Sequence, residues 1–150
     1  FHAVKGEYDD SNFPETKVIT IGDFKIGMIH GHQVTSYGDL EALSVIQRQL
    51  NCDILLSGHT HSNSVNVFES KYYINPGSIS GAFSFNNPDP IPSFILMVIQ
   101  GDFTIVYLYE LVDENKKFEV TKMEFTKNSN ELKNVNDREE EDDEEGDEDI

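Results

Sequence analysis

Between Phe24 and His61 the chain reads as strand, helix, strand, and this stretch limits the possible folds more than any other. Phe24–His30 is a β-branched and aromatic run. After the glycine-containing loop from His30 to Gly38, Asp39 is placed to cap a helix. Leu40, Leu43, Ile46, Gln47 and Leu50 recur along it at roughly helical spacing. Cys52–Ser57 then contains Ile54, Leu55 and Leu56, a short continuous apolar run of the kind that forms a strand buried on both faces. A helix leading into such a strand predicts a βαβ unit within an α/β fold.

The chemistry sits at the ends of the same two strands. Four of the five histidines fall in two H-x-H units, His30-Gly31-His32 and His59-Thr60-His61. At a strand end, residues i and i+2 point to one side, so each unit can aim two imidazoles into one cleft. Gly31 and Gly58 allow sharp turns and close backbone approach. Open α/β sheets place their ligands at the carboxyl ends of strands, and neutral imidazole is a common metal ligand. Histidines alone suit zinc, whereas harder divalent ions also need oxygen donors. Glu7, Asp9 and Asp10 are the nearest such donors, in a polar loop after the expected strand Phe1–Lys5. Asp39, Asp53 and Asn75 are weaker candidates, explained equally well as cap, strand-entry and turn residues.

The remaining pattern is β-rich. Lys17–Ile21 and Phe24–His30 flank Gly22-Asp23, and Ser93–Gln100 and Phe103–Val112 flank Gly101-Asp102, so each pair reads as a hairpin with a two-residue turn. Val65–Glu69 with Lys71–Asn75 is a further hairpin, Asn75-Pro76-Gly77-Ser78 a turn, residues 81–92 an irregular loop, and Phe118–Phe125 a last strand. From Asn128 onward apolar residues thin to Leu132 and Val135. Residues 128–150 are therefore expected to be a disordered acidic tail following a domain at 1–127.

Charge supports this division. The formal net charge is −17, and from Asp137 to Ile150 there are eleven acids and one arginine, so −10 belongs to that stretch and −7 to the rest. Such a chain lacks the cationic footprint of a nucleic-acid binder. Its apolar runs are far shorter than the roughly 20 residues of a membrane span. The single cysteine, Cys52, cannot form an internal disulfide, and its expected role is that of a small buried hydrophobe.

Gly6-Glu7-Tyr8-Asp9, Ile29-His30-Gly31-His32, Gly58-His59-Thr60-His61 and Asn75-Pro76-Gly77-Ser78, in that order, resemble the later motifs of calcineurin-like metallophosphoesterases. Within that superfamily the segments Lys25–Val34, Gln47–Leu50, Asp53–His61, Tyr72–Ser78, Pro92–Met97 and Val106–Tyr109 are similar to the small phosphoesterase-fold subunit of the retromer coat. The resemblance implies an αββα sandwich, two sheets flanked by helices, with a dinuclear metal site at the strand ends. By position, Glu7, His30 and His59 would hold one divalent ion, zinc or manganese, and His61 the other, with His32 beside them. The family's first two motifs would precede Phe1, so the chain is expected to be amino-terminally truncated with an incomplete site. Active members carry Asn at the position of Glu7 and His or Cys at that of Tyr8, and a phenol is a poor acid for a leaving alkoxide at neutral pH.

The expectation that follows is a non-catalytic, cytoplasmic subunit held peripherally on endosomal membranes through the retromer complex, acting in endosome-to-Golgi retrograde transport. Its loop bearing Val34, Thr35 and Tyr37 would dock on the large helical-solenoid subunit. A second apolar patch with Leu96, Tyr107 and Tyr109 would recruit regulatory proteins. The alternative is a metal-dependent phosphodiesterase or phosphatase using His30, His59 and His61.

Overall fold

The computed structural model describes residues 1–112, 115 and 117–135. Two sheets stack face to face. The first has five strands in the order β1-β2-β3-β5-β4: β1 (Thr16–Ile21), β2 (Phe24–Ile29), β3 (Ile54–Leu56), β4 (Asn63–Phe68) and β5 (Lys71–Pro76). The second is a β6-β7-β8-β9 meander of β6 (Ser93–Gln100), β7 (Phe103–Leu111), β8 (Phe118–Thr126) and β9 (Lys133–Asn134). The predicted βαβ unit is present. β2 and β3 run parallel, joined through α1 (Leu40–Leu50), and β3 runs parallel to β5. Asp39 caps the helix as expected, its carboxylate accepting the Glu41 N–H at 3.2 Å.

The turns explain the hairpin registers. Gly22 and Gly101 both take φ of 57°, the positive value that a two-residue turn requires at its first central position. Those turns fix Ile21 opposite Phe24 and Gln100 opposite Phe103.

Two apolar layers result. Between the sheets lie Phe24, Ile26, Ile54, Tyr72 and Ile74 from the first and Val106 and Phe125 from the second. Tyr72 stacks on Phe125 with centroids 3.8 Å apart, and Phe24 meets Phe125 edge-on at 5.9 Å. On the opposite face of the first sheet, Leu43 of α1 packs with Ile29, Val34, Cys52, Leu55 and Tyr73, and Cys52 is buried as expected. The close approach there depends on Gly27, where a Cβ would stand 2.9 Å from the Cys52 sulfur.

The fold class is as expected, a two-sheet α/β sandwich of the calcineurin-like phosphoesterase type, and among the described residues its one helix, α1, packs on the first sheet. Two expectations are corrected. Phe1–Lys5 is not a strand: its backbone tie is the Lys5 N–H to the Pro14 carbonyl at 2.9 Å, and a strand needs a partner ladder. Residues 128–135, assigned from sequence to the tail, fold back instead. Asn134 pairs with Met123 and Leu132 packs against the inter-sheet core. The acidic block from Asn136 lies outside the described residues. No helix among them is long and apolar enough to cross a membrane.

Candidate functional site

The three parallel strands β2, β3 and β5 end at the same side of the sheet, and the expected motifs follow them. His30 follows β2, the Gly58–His61 loop follows β3, and Asn75-Pro76 closes β5. Backbone contacts join these loops. The Gly58 N–H donates to the His30 carbonyl at 2.8 Å, and the Ser57 N–H to the Ile74 carbonyl at 3.0 Å. Gly31 sits at φ 117° with the Gly58 carbonyl oxygen 2.6 Å from where a Cβ would stand. Only glycine meets both demands. His59 and His61 themselves take left-handed φ of 72° and 57°. Such backbone is uncommon for residues other than glycine and concentrates at functional sites.

A cleft of about 380 Å³ opens at these loops, lined by Glu7, Tyr8, Asp9, His30, His59 and His61 among others. Oxygen donors of the Gly6–Asp9 loop and nitrogen donors of both H-x-H units therefore share one cavity. His30 and His59 rings are 5.2 Å apart, centroid to centroid. His32 lies beside His30, their Nδ1 atoms 3.0 Å apart, so one of the two donates to the other. His61 Nδ1 stands 2.6 Å from the Ala82 carbonyl, which can only accept. That nitrogen therefore donates, which fixes the ring's orientation and leaves Nε2 facing away from the Ala82 carbonyl.

Burial depresses the His30 pKa below its ordinary 6.5, helped by the His32 and His59 rings and opposed by the Asp9 and Glu7 carboxylates. His30 is therefore neutral at pH 7, the form that ligates a metal. The donor set suits a borderline divalent ion in kind. It does not fit one in arrangement: among the described residues no three His, Cys, Asp or Glu groups stand close enough together to hold a metal ion. Glu7, Tyr8 and Asp9 are exposed, Tyr8 at 91%, and the Asp9 carboxylate accepts the Gly6 N–H at 2.8 Å.

Two positioning residues were not legible as such. Asn75, read as a turn residue or weak ligand, is buried and brackets the histidine loop. Its Nδ2 donates to the Gly58 carbonyl at 3.3 Å and to Thr60 Oγ1 at 2.9 Å, while its Oδ1 accepts the Gly77 N–H at 3.0 Å. Tyr37 places its ring edge-on to His59, centroids 4.2 Å apart. Asp53 lies elsewhere, at the opposite end of β3, bonded to the Lys25 N–H and to Lys71.

In the expected docking loop Thr35 and Tyr37 are exposed, but Val34 is only 4% exposed and belongs to the core beneath α1, so its surface role is corrected. Leu96 is exposed on the outer face of the second sheet opposite Tyr107, and Tyr109 stacks on the neighbouring Phe94 at 4.7 Å.

Comparison with known proteins agrees with this geometry. Residues 1–102 match the calcineurin-like phosphoesterase superfamily domain. Vacuolar protein sorting-associated protein 29 of Schizosaccharomyces pombe is 38% identical over 129 residues, 83% of this chain and 68% of that protein. A single-mutant Vps29 of Entamoeba histolytica superposes with TM-score 0.80 at 45% identity, covering 83% of this chain and 69% of that one. Wild-type Vps29 of the same organism, solved with Zn2+, gives TM-score 0.75 at 47% identity over 81% of this chain and 68% of that one. The chain thus spans about two thirds of the length of these relatives. A calcineurin-like phosphoesterase superfamily domain with this identity and this fold belongs to the Vps29 family.

Proposed function

We propose that the protein is a non-catalytic retromer subunit, a phosphoesterase fold used as an interaction scaffold in endosome-to-Golgi retrograde transport. It acts on the cytoplasmic face of endosomes, held there by its complex. The observation that carries this reading is the outer face of the second sheet, which no element among the described residues covers and where Phe94, Leu96, Val98, Phe118 and Val120 are exposed side by side with Tyr107 and Tyr109. Contiguous exposed apolar side chains of this kind mark interaction surfaces. Thr35 and Tyr37, beside the cleft, supply the surface for the large helical-solenoid subunit, and the sheet face receives regulators.

A phosphodiesterase reading draws its support from the cleft that gathers Glu7, Asp9, His30, His59 and His61. Glu7, His30, His59 and His61 are the groups that would hold zinc or manganese. Among the described residues their donors stand too far apart for a two-metal step.

One experiment separates the two. The protein is titrated against the solenoid subunit by calorimetry, and hydrolysis of a chromogenic phosphodiester is followed with manganese and with zinc. Association that survives His59→Ala, with turnover at the level of free metal, is the expected outcome. Turnover that His59→Ala abolishes, or absence of association, overturns the scaffold reading.

A further inference from the structure

On the α1 side of the first sheet a second cavity, of about 340 Å³, lies between the helix and β4, and no Asp, Glu, Lys, Arg or His lines it. In a chain of net charge −17 that neutrality selects the ligand. A charged group finds no opposite charge there, and an anion is repelled as it approaches. Thr60 ties the cavity to the histidine loop: His59 and His61 line the cleft, and the residue between them lines the cavity. Strand register lays out the floor. Ser57 follows β3 level with Asn75 of β5, and Ser64 of β4 pairs with Asn75 from the other side. Neighbouring strands stand about 4.8 Å apart, so the two serines are about 10 Å from each other, with Asn66 about 7 Å from Ser64 along β4. Leu40 and Leu43 of α1 form an apolar wall.

The polar groups lining the cavity divide in two. Asn75 and Thr60 are occupied with each other, Asn75 Nδ2 donating to Thr60 Oγ1 at 2.9 Å, and with the loops around them. The side chains of Ser57, Ser64, Asn66 and Asn86 have no hydrogen-bond partner among the described residues, although Ser57 is only 8% exposed. A hydroxyl at that depth is costly to leave unpaired. Each free asparagine amide presents a donor beside an acceptor, the pairing that matches the edge of a nucleobase. We infer that the cavity binds an uncharged nucleobase or nucleoside. The ring edge meets the Asn66 and Asn86 amides and the Ser57 and Ser64 hydroxyls, and the ring face lies against Leu40 and Leu43. Small-molecule sites usually measure about 300–1,000 Å³, and this one, near the lower bound, suits a ligand of that size. With no cation in the lining, a phosphate on the ligand weakens binding.

The test is titration of the full chain, followed by calorimetry, with adenosine, guanosine, cytidine and uridine, with the 5′-monophosphate of the tightest of them, and with glucose. The titrations are repeated on Asn66→Leu and Asn86→Leu. At least one nucleoside is expected to bind at millimolar concentration or below, its monophosphate more weakly and glucose not at all. Each asparagine substitution is expected to weaken binding about tenfold, the loss of one paired amide contact. Absence of binding by all four nucleosides overturns the inference. So does glucose binding as tightly as the best nucleoside, a monophosphate that matches it, or binding that either asparagine substitution leaves undiminished. Asn66 is half-buried on an edge strand, so its variant is first compared with the parent by thermal melt. Asn86 is exposed on a loop, and its variant keeps the test decisive if Asn66→Leu unfolds. None of these outcomes bears on the scaffold reading, which concerns other surfaces.

Discussion

Glycine at position 31 holds the two histidine loops against each other, and its replacement separates two costs that usually come together. At φ 117°, any other residue is strained, and a Cβ there would also stand 2.6 Å from the Gly58 carbonyl oxygen and 3.1 Å from the His59 Cβ. Gly38 has the first problem without the second: its φ is 79°, but the nearest atom to an added Cβ is Thr60 Cγ2 at 3.4 Å. Gly31→Ala should therefore lose more stability than Gly38→Ala in urea titrations, about 2–3 kcal/mol against about 1. Equal losses would show that the loops do not press on each other as described. The histidines and their glycines were readable in the sequence because two units of one construction follow two strands. Asn75 was not readable as their bracket, because its bonds to Gly58 and Thr60 cross 15 to 17 positions of sequence that no local pattern encodes. Val34 went astray for a related reason. Its burial comes from α1 folding over the loop that follows β2, and the loop's own composition gives no sign of it.

Among the secondary-structure elements, the hairpins were the most legible, since alternation fixes the faces and a Gly-Asp pair fixes the register. The β4–β5 hairpin departs from that economy. Its turn residues Glu69 and Ser70 take φ of 49° and 61°, two left-handed conformations without a glycine. External contacts maintain them: the Ser70 N–H donates to Asn130 Oδ1 at 3.1 Å, and the Glu69 carboxylate lies 3.9 Å from Arg48. The first of these reaches into the segment after β8, so the turn and residues 128–135 support each other. Replacing Glu69-Ser70 with Asn-Gly keeps the backbone donor and removes the conformational cost, and should stabilise the protein by roughly 1–2 kcal/mol. A gain below about 0.3 kcal/mol in the denaturation midpoint would mean that the exposed ion pair and the serine side chain offset the strain. β9 and Leu132 escaped the sequence reading because one apolar residue among polar neighbours forms no period. Phe1–Lys5 misled in the opposite direction, since strand-type composition without a partner makes no strand.

At the scale of the whole molecule the two sheets are joined through one buried carboxylate at the end remote from the histidine cleft. Asp53, at the entry to β3, accepts the Lys25 N–H at 2.8 Å and Lys71 Nζ at 3.2 Å. Lys127, just past β8, lies 3.5 Å away and donates to the Asp23 carbonyl at 2.6 Å, while Tyr72 Oη donates to the Thr126 carbonyl at 2.7 Å. Burial acts to raise the Asp53 pKa, but the Lys25 N–H, the Lys71 bond and charge and the Lys127 charge together outweigh it, and the carboxyl sits below its ordinary 3.8. A depressed carboxyl pKa stabilises the fold fully above the unfolded value and loses that contribution as pH falls through the folded one. The window therefore opens near pH 5 and extends below pH 4. Absolute stability will not isolate it, because protonating the other acids of a chain with net charge −17 relieves repulsion over the same range. The difference between the parent and Asp53→Asn does isolate it, since both share every other acid. In urea titrations that difference should favour the parent at pH 7, hold level to about pH 5, and shrink steadily toward pH 3. A gap unchanged between pH 7 and pH 3 would place the lysine contacts among surface ion pairs of little consequence, and the joint between the sheets would then rest on the apolar core around Tyr72 and Phe125.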